Sequence, residues 1–316
     1  MKYTVVGAGA IGLLYAARLA MAGEEVLVVT RTDEQAQSLM KKGLLFKDAS
    51  GAEHGLRMAA QPVSRFSAAG GPPAFAPGCV LLAVKQPHIS EELLRGLRRI
   101  VPAGVPLLAL QNGIGHLERL RDALPHSAVY AAITTEGALR PDMRSVIHTG
   151  IGQLTFGGWT PDNLSEGDSD AQKMLLHALI HAGIQAILSN DMKDQVFLKL
   201  LINAVVNPLT AIFQVKNGEL PRDAYRARMM RALHDESVAI LRAAGMAGHD
   251  GLWERLLEVC AATAANESSM LRDVRAGRAT EISWINGGII RYAERLGLPS
   301  RMNEAVLALV EALNAS

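Results

Sequence analysis

A chain of 316 residues, 49% of them hydrophobic and 20% charged, has the make-up of a soluble globular protein with room for about two domains. Lys and Arg total 32 against 31 for Asp and Glu, and the resulting formal charge of +1 offers no basic field to nucleic acid or an anionic membrane. The two cysteines, Cys79 and Cys260, stand far apart in no metal or redox motif, which fits a reducing, cytoplasmic setting.

Lys2 and the apolar run that follows it up to Gly23 have the outline of a secretory leader, but three glycines and Arg18 interrupt the run. No other stretch is expected to reach the ~20 apolar residues of a membrane span. Residues 3–6 are β-rich and lead directly into Gly7, Ala8, Gly9, Ala10, Ile11 and Gly12. A helical stretch to about Ala22 and a strand over 25–29 complete a strand, G-x-G-x-x-G, helix, strand unit. In that context the glycines allow a tight turn and close approach of a pyrophosphate, which meets the free N–H groups of the helix N-terminus. An NAD site usually carries an acid at the end of the second strand to bind the ribose 2′-hydroxyl. Here Thr30, Arg31 and Thr32 occupy that place, so Arg31 is positioned for a 2′-phosphate and the sequence favours NADP. Asp33 reads as the cap of a helix reaching Lys42.

Residues 44–47 and 53–58 read as a hairpin around Asp48, and 64–78 as a loose Ala, Gly and Pro loop. Apolar runs at 79–84 and 105–110 have the pattern of parallel strands covered on both faces. Lys85 follows the first, and Gln111, Asn112 and Gly113 follow the second. Each of Gly7, Arg31, Lys85 and Asn112 would serve alone as a turn residue or solvated charge. Their shared place at the carboxyl ends of strands points to a common ligand cleft. Further strands are expected at 128–135, 144–149, 152–157 and 184–188, with a polar loop over 159–170 and a helix after it. His177 and His181 lie at i, i+4 on that helix but have no third ligand at suitable spacing, so no metal site is expected. After about residue 190 only helices are read: 190–213, 221–244, 252–265, 268–276, 282–296 and 302–314. The fold class is therefore α/β, with an N-terminal Rossmann-type domain over 1–189 and a C-terminal all-helical domain over 190–316.

The first of those later helices is apolar nearly all round, as a buried helix is. Lys199, Asn203 and Asn207 nevertheless recur in it at i, i+4, i+8, stacked along one face. Buried polar groups need partners, and a row of three points to a ligand. Asn207 precedes Pro208 and also fits the N-cap of a new helix after a kink. Farther on, Ser268 and Ser269 are candidates for a helix cap or for a site. Glu281, at the head of an apolar helix, is either a first-turn acid favoured by the helix dipole or a carboxylate for a substrate hydroxyl.

Taken with the motifs Thr134 to Ala138, His148 to Gly152, Asn207 to Ala211, Asn217 to Leu220, Ser268 to Met270 and Arg278 to Ile282, the chain resembles the ketopantoate reductases along nearly its whole length. The resemblance implies a Rossmann-type domain, a helical domain and an active site between them. The implied activity is NADPH-dependent reduction of 2-dehydropantoate to (R)-pantoate, on the route to pantothenate and coenzyme A. It further implies Lys199 as the catalytic lysine and Glu281 as a catalytic or substrate-orienting carboxylate. Asn112, Asn203, Asn207, Asn217, Asn266 and Ser269 would contact substrate and nicotinamide, and Arg31 and Lys85 the NADP phosphate. The expected partner is a small 2-oxo acid, not nucleic acid or membrane, with a homodimer as the candidate assembly. Two alternatives stand beside this reading: a family member acting on another 2-oxo or hydroxy acid, and a non-catalytic NADP-binding sensor. A sensor has no need of Lys199 and Glu281.

Overall fold

Residues 1–67, 75–159 and 166–314 are described by a computed structural model. Met1–Gln111 with His116–Met192 form one compact unit, and Asn112–Gly115 with Lys193–Ser316 form a second. The second unit thus begins three residues after the composition change at 190, and it also takes four residues from the middle of the first half.

In chain order the first unit runs β1 (Lys2–Val6), α1 (Ala10–Met21), β2 (Glu25–Thr30), α2 (Asp33–Lys42), β3 (Leu44–Lys47), β4 (Glu53–Leu56), β5 (Ala59–Pro62), α3 (Ser64–Ser67), β6 (Cys79–Leu82), α4 (Glu91–Ile100), β7 (Leu107–Ala109), α5 (His116–Ala123), β8 (Val129–Thr134), β9 (Gly137–Leu139), β10 (Ser145–Gly150), β11 (Leu154–Gly157), α6 (Glu166–His181) and β12 (Ala186–Leu188). Eight strands make one sheet in the order β12-β11-β8-β7-β6-β1-β2-β5, parallel throughout except where β11 meets β8. From β1 the chain moves outward through β2 and β5, then returns to pair β6 on the other side of β1. Winding reverses at that point, where open α/β sheets take their ligands. Every residue of β6 and β7 is buried, which accounts for their unbroken apolar runs.

A smaller sheet, β4-β3-β10-β9, contains the expected hairpin. Helix α1 packs against β1 and β2 of the large sheet and against β3, β9 and β10 of the small one. Its placement is fixed by Glu136, whose side chain has no exposure. Glu136 accepts from Arg18 Nη1 of α1 at 2.6 Å and from the backbone N–H of Gly152 at 3.0 Å, and it pairs with His148 Nε2 at 2.6 Å. The motifs 134–138 and 148–152 therefore serve to seat α1, since a buried carboxylate is tolerable only when so surrounded.

Three local expectations change. Thr32, not Asp33, caps α2, its hydroxyl accepting from the Gln35 N–H at 3.3 Å. Residues 64–67 of the expected loose loop form α3, and α6 starts at Glu166 inside the expected polar loop. The remaining loop readings at 68–74 and 160–165 lie outside the described residues.

The second unit comprises α7 (Met192–Phe213), α8 (Ala224–Ala243), α9 (Leu252–Ala262), α10 (Ser269–Arg275), α11 (Ile282–Leu296) and α12 (Arg301–Asn314). Val205, Val206 and Leu209 of α7 pack with Met230, Leu233, Leu256, Cys260 and Val306 into its core. Among the described residues α7 is the one helix long and apolar enough to cross a membrane, which corrects the expectation that no stretch beyond residue 23 qualifies. Within this fold 67% of its apolar window is buried, the behaviour of a core helix. Pro208 lies inside α7, so Asn207 is a helical residue and not the cap of a new helix.

Candidate active site and cofactor cradle

Three glycines after β1 differ in what a side chain would meet. Gly7 has φ +107°, and a Cβ there would lie 2.8 Å from the Val84 backbone N. A Cβ on Gly12 would lie 1.8 Å from the Gly7 carbonyl oxygen. Gly9 alone of the three faces open space, with nothing within 4 Å. It is the N-cap of α1 and offers no side-chain cap to the first-turn N–H groups. Ala8 is buried beside it, its carbonyl taken by Gln35 Nε2 at 2.9 Å, while Ala10 and Ile11 open the helix half-buried. A cradle with unclaimed N–H groups, bounded by a gap that a side chain would narrow, fits a dinucleotide pyrophosphate.

Arg31 is exposed at the end of β2. Lys85, half-buried, stands at the N-cap position of a 3-10 turn over Gln86–His88. Desolvation lowers the His88 pKa below the ordinary imidazole value, and the positive charges of Arg31 and Lys85 lower it further. Three basic side chains therefore share one field, which an anion would relieve. His88 carried no signal in the sequence beyond its place three residues after Lys85.

The second unit contains a cavity of ≈ 270 Å³. It brings together Lys199, Asn203 and Asn207 of α7 with Asn112, Asn217, Asn266 and Ser269. Asn112 reaches this group because Asn112–Gly115 docks on α11. Gly113, at φ +78°, has no room for a Cβ against the Trp284 carbonyl, and the Ile114 N–H donates to that carbonyl at 3.2 Å. Glu281 is not a wall of the cavity. It is the buried N-cap residue of α11, and its Oε2 accepts from Asn112 Nδ2 at 3.0 Å.

Both adjacent serines line the cavity. Ser268 also caps α10, accepting from the Leu271 N–H at 3.0 Å and from Thr210 Oγ1 at 2.7 Å, and Ser269 is exposed. Asn217 Nδ2 donates to Thr263 Oγ1 at 2.9 Å, and its buried Oδ1 has no partner among the described residues. Thr263 and the apolar wall of Ile202, Val206 and Val259 were not foreseen from sequence.

Lys199 is half-buried. Desolvation pushes its pKa down to about 8, and the negative charge of Glu281 works in the opposite direction. An ammonium poised near neutral pH among amide and hydroxyl groups is suited to giving a proton to a developing oxyanion. Elsewhere, His177 and His181 are both exposed, and among the described residues no three His, Cys, Asp or Glu side chains are grouped to hold a metal. Burial raises the pKa of both Cys79 and Cys260, leaving neither thiol activated.

A glycine cradle on a mostly parallel sheet in one unit, and a polar cavity around a lysine in the other, are features of a Rossmann-type dinucleotide-binding protein. Known proteins agree: the family described as Ketopantoate reductase PanE/ApbA matches residues 3–161, and its C-terminal counterpart matches residues 191–314. The chain belongs to the ketopantoate reductase family. It is 32% identical over 314 residues to a 2-dehydropantoate 2-reductase of Archaeoglobus fulgidus, covering 99% of this chain and 98% of that protein. To the Bacillus subtilis 2-dehydropantoate 2-reductase it is 31% identical over 317 residues, covering 99% and 97%. A D-mandelate dehydrogenase solved with NADH and anilino(oxo)acetate shares the fold, with a TM-score of 0.89 at 24% identity over 100% of this chain and 98% of the other.

Proposed function

We propose that this protein reduces 2-dehydropantoate to (R)-pantoate with NADPH, a step towards pantothenate and coenzyme A. The observation that carries the reading is Lys199 in its asparagine-lined cavity, with Asn112 tied to Glu281. Relatives named for this reaction match nearly the whole chain and support the choice of substrate. Reduced nicotinamide, when bound, supplies the hydride for a 2-oxo carbon. Lys199 neutralises the carbonyl oxygen and delivers its proton. The amides of Asn203, Asn207, Asn217 and Asn266 and the hydroxyl of Ser269 orient the substrate's oxygens, and Glu281 holds Asn112 in place. The deciding experiment follows NADPH oxidation with a panel of 2-oxo acids. Turnover fastest with 2-dehydropantoate is the expected result, and no turnover with any 2-oxo acid would remove the reading.

Arg31 supports NADPH as the reductant. Losing a charge-assisted contact to phosphate costs about 1.5–3 kcal/mol. Arg31→Ala should therefore weaken NADPH binding by roughly 10- to 150-fold and leave NADH nearly unchanged, as read by titrating the intrinsic fluorescence. Equal losses for the two cofactors would return the preference to an open question.

The substrate's alkyl part has Ile202, Val206 and Val259 to pack against. Val259→Ala opens that wall by two methyl groups, and a methylene in such a pocket is worth roughly 10-fold or more in kcat/KM. The variant should lose about that factor on 2-dehydropantoate and gain relative activity on an aryl 2-oxo acid such as phenylglyoxylate. An unchanged ratio between the two substrates would place the alkyl group elsewhere.

A further inference from the structure

Helix α7 passes through Pro208 without ending. Proline has no N–H, so it cannot make the ladder bond to the carbonyl four residues earlier, and its ring crowds that carbonyl. The carbonyl belongs to Ala204, which has no exposure. Water cannot repair the loss there, and an unpaired buried carbonyl is strongly disfavoured. The missing donor comes from another helix: Asn286 of α11, also fully buried, donates from Nδ2 to the Ala204 oxygen at 2.9 Å.

The direction of that amide follows from its neighbours. Glu236 accepts from the backbone N–H groups of Met302 at 3.0 Å and Asn303 at 2.9 Å, and from Asn303 Nδ2 at 2.9 Å. A carboxylate that accepts from Asn303 Nδ2 leaves Asn303 Oδ1 facing Asn286. Asn286 Nδ2 donates to it at 3.0 Å, so both of its protons are committed. A chain of fixed polarity thus runs from Glu236 on α8 through Asn303 and Asn286 to the one turn of α7 that lacks its own bond. That turn carries Asn203 and Asn207, and Lys199 lies one turn before it.

We infer that Asn286 is a positioning residue of the active site: it replaces the ladder bond deleted by Pro208 and so holds the Asn203–Asn207 turn of α7 in the geometry the cavity needs. Asn286 is not part of the cavity lining and acts only through α7. The catalytic part of the inference rests on the 2-oxo acid reductase reading above.

The test is a rescue. Asn286→Leu should lower kcat at least ten-fold in protein shown by circular dichroism to be folded at the assay temperature, with the NADPH dissociation constant within two-fold of wild type. Adding Pro208→Ala returns an N–H to position 208 and gives the Ala204 carbonyl its own donor back, while Asn303 Oδ1 keeps the Ser237 hydroxyl at 3.5 Å. The double variant should recover kcat to within three-fold of wild type and regain thermal midpoint. If Asn286 mattered only as packing, the double variant would be as impaired as the single one, and that result overturns the inference, as does a single variant within three-fold of wild-type kcat. Should Asn286→Leu fail to fold, Pro208→Ala is compared with the double variant. Both are expected to fold and turn over within three-fold of each other, and an unfolded or ten-fold slower double variant overturns the inference. If the wild type reduces no 2-oxo acid, the functional reading falls by itself, and the Asn286 bond is judged by whether Pro208→Ala raises the thermal midpoint of the Asn286→Leu protein.

Discussion

Replacing Lys199 with Met is expected to lower kcat for 2-oxo acid reduction by roughly 10²–10⁴-fold, the usual worth of a general acid, with NADPH affinity within two-fold of wild type. The glycine cradle proposed for the cofactor belongs to the other unit of the chain, so its contacts should survive the change. The pH profile tests the assignment more sharply. A proton donor must carry its proton, and burial has brought Lys199 down to a pKa of about 8. In the wild type, kcat/KM for reduction should fall as pH rises through 8, because that parameter reports free-enzyme groups. The limb should vanish from the residual activity of Lys199→Met. Glu281 raises the lysine pKa, so Glu281→Gln should move the limb to lower pH. Were Lys199 only half of a structural ion pair, its variant would lose thermal stability while the folded fraction turned over normally.

The lysine was legible in sequence because of its surroundings. Lys199 among Phe197, Leu198, Leu200 and Leu201 has no surface to serve, and the i, i+4, i+8 repeat to Asn207 survives as a shared cavity wall. Asn112 was found for a different reason. Its place after an apolar strand marked a ligand-binding end, yet nothing local shows that Asn112–Gly115 packs with the helical unit. That depends on Gly113 and Gly288, where the absence of a Cβ lets Trp284 and Ile114 come close. Thr263 and Val259 gave no signal at all. A valine on an amphipathic helix, or a threonine just past its end, looks alike whether it faces a cavity or a neighbouring helix.

Pro208 shows local preference being overruled. By itself an Asn-Pro pair argues for a helix break, and the continuation of α7 depends on a donor 82 positions away in sequence. The clue was an asparagine in the apolar run from Ile282 to Ile290, which is unfavourable there unless its amide has partners. The same limit applies to the sheet. Strands with unbroken apolar runs were readable, whereas the three-residue β9 and the polar-edged β5 acquire strand geometry only from the strands they pair with.

Gly9 and Gly12 should fail in opposite ways when given side chains. At Gly9 the backbone is in the extended region (φ −81°, ψ −173°), and nothing lies within 4 Å of a Cβ. Gly9→Val should therefore fold with a loss of only about 1 kcal/mol, the cost of a poorer N-cap residue. Its side chain would fill the approach to the first-turn N–H groups of α1, and the lost charge-assisted bonds should weaken both NADPH and NADH by roughly 10- to 150-fold. Gly12 has no such freedom, since its Cβ would stand 1.8 Å from the Gly7 carbonyl oxygen, and Gly7 is itself so close to Val84 that a Cβ on it would lie 2.8 Å from the Val84 backbone N. Neither side can yield without moving β1 or α1, so Gly12→Ala should cost about 3 kcal/mol of stability, read as a lower thermal midpoint with no cofactor present. Cofactor titration and thermal melts on the two variants separate a glycine kept open for a ligand from one kept for close packing. A Gly9→Val protein that melts early, or binds NADPH as wild type does, would show that the cradle is not at Gly9.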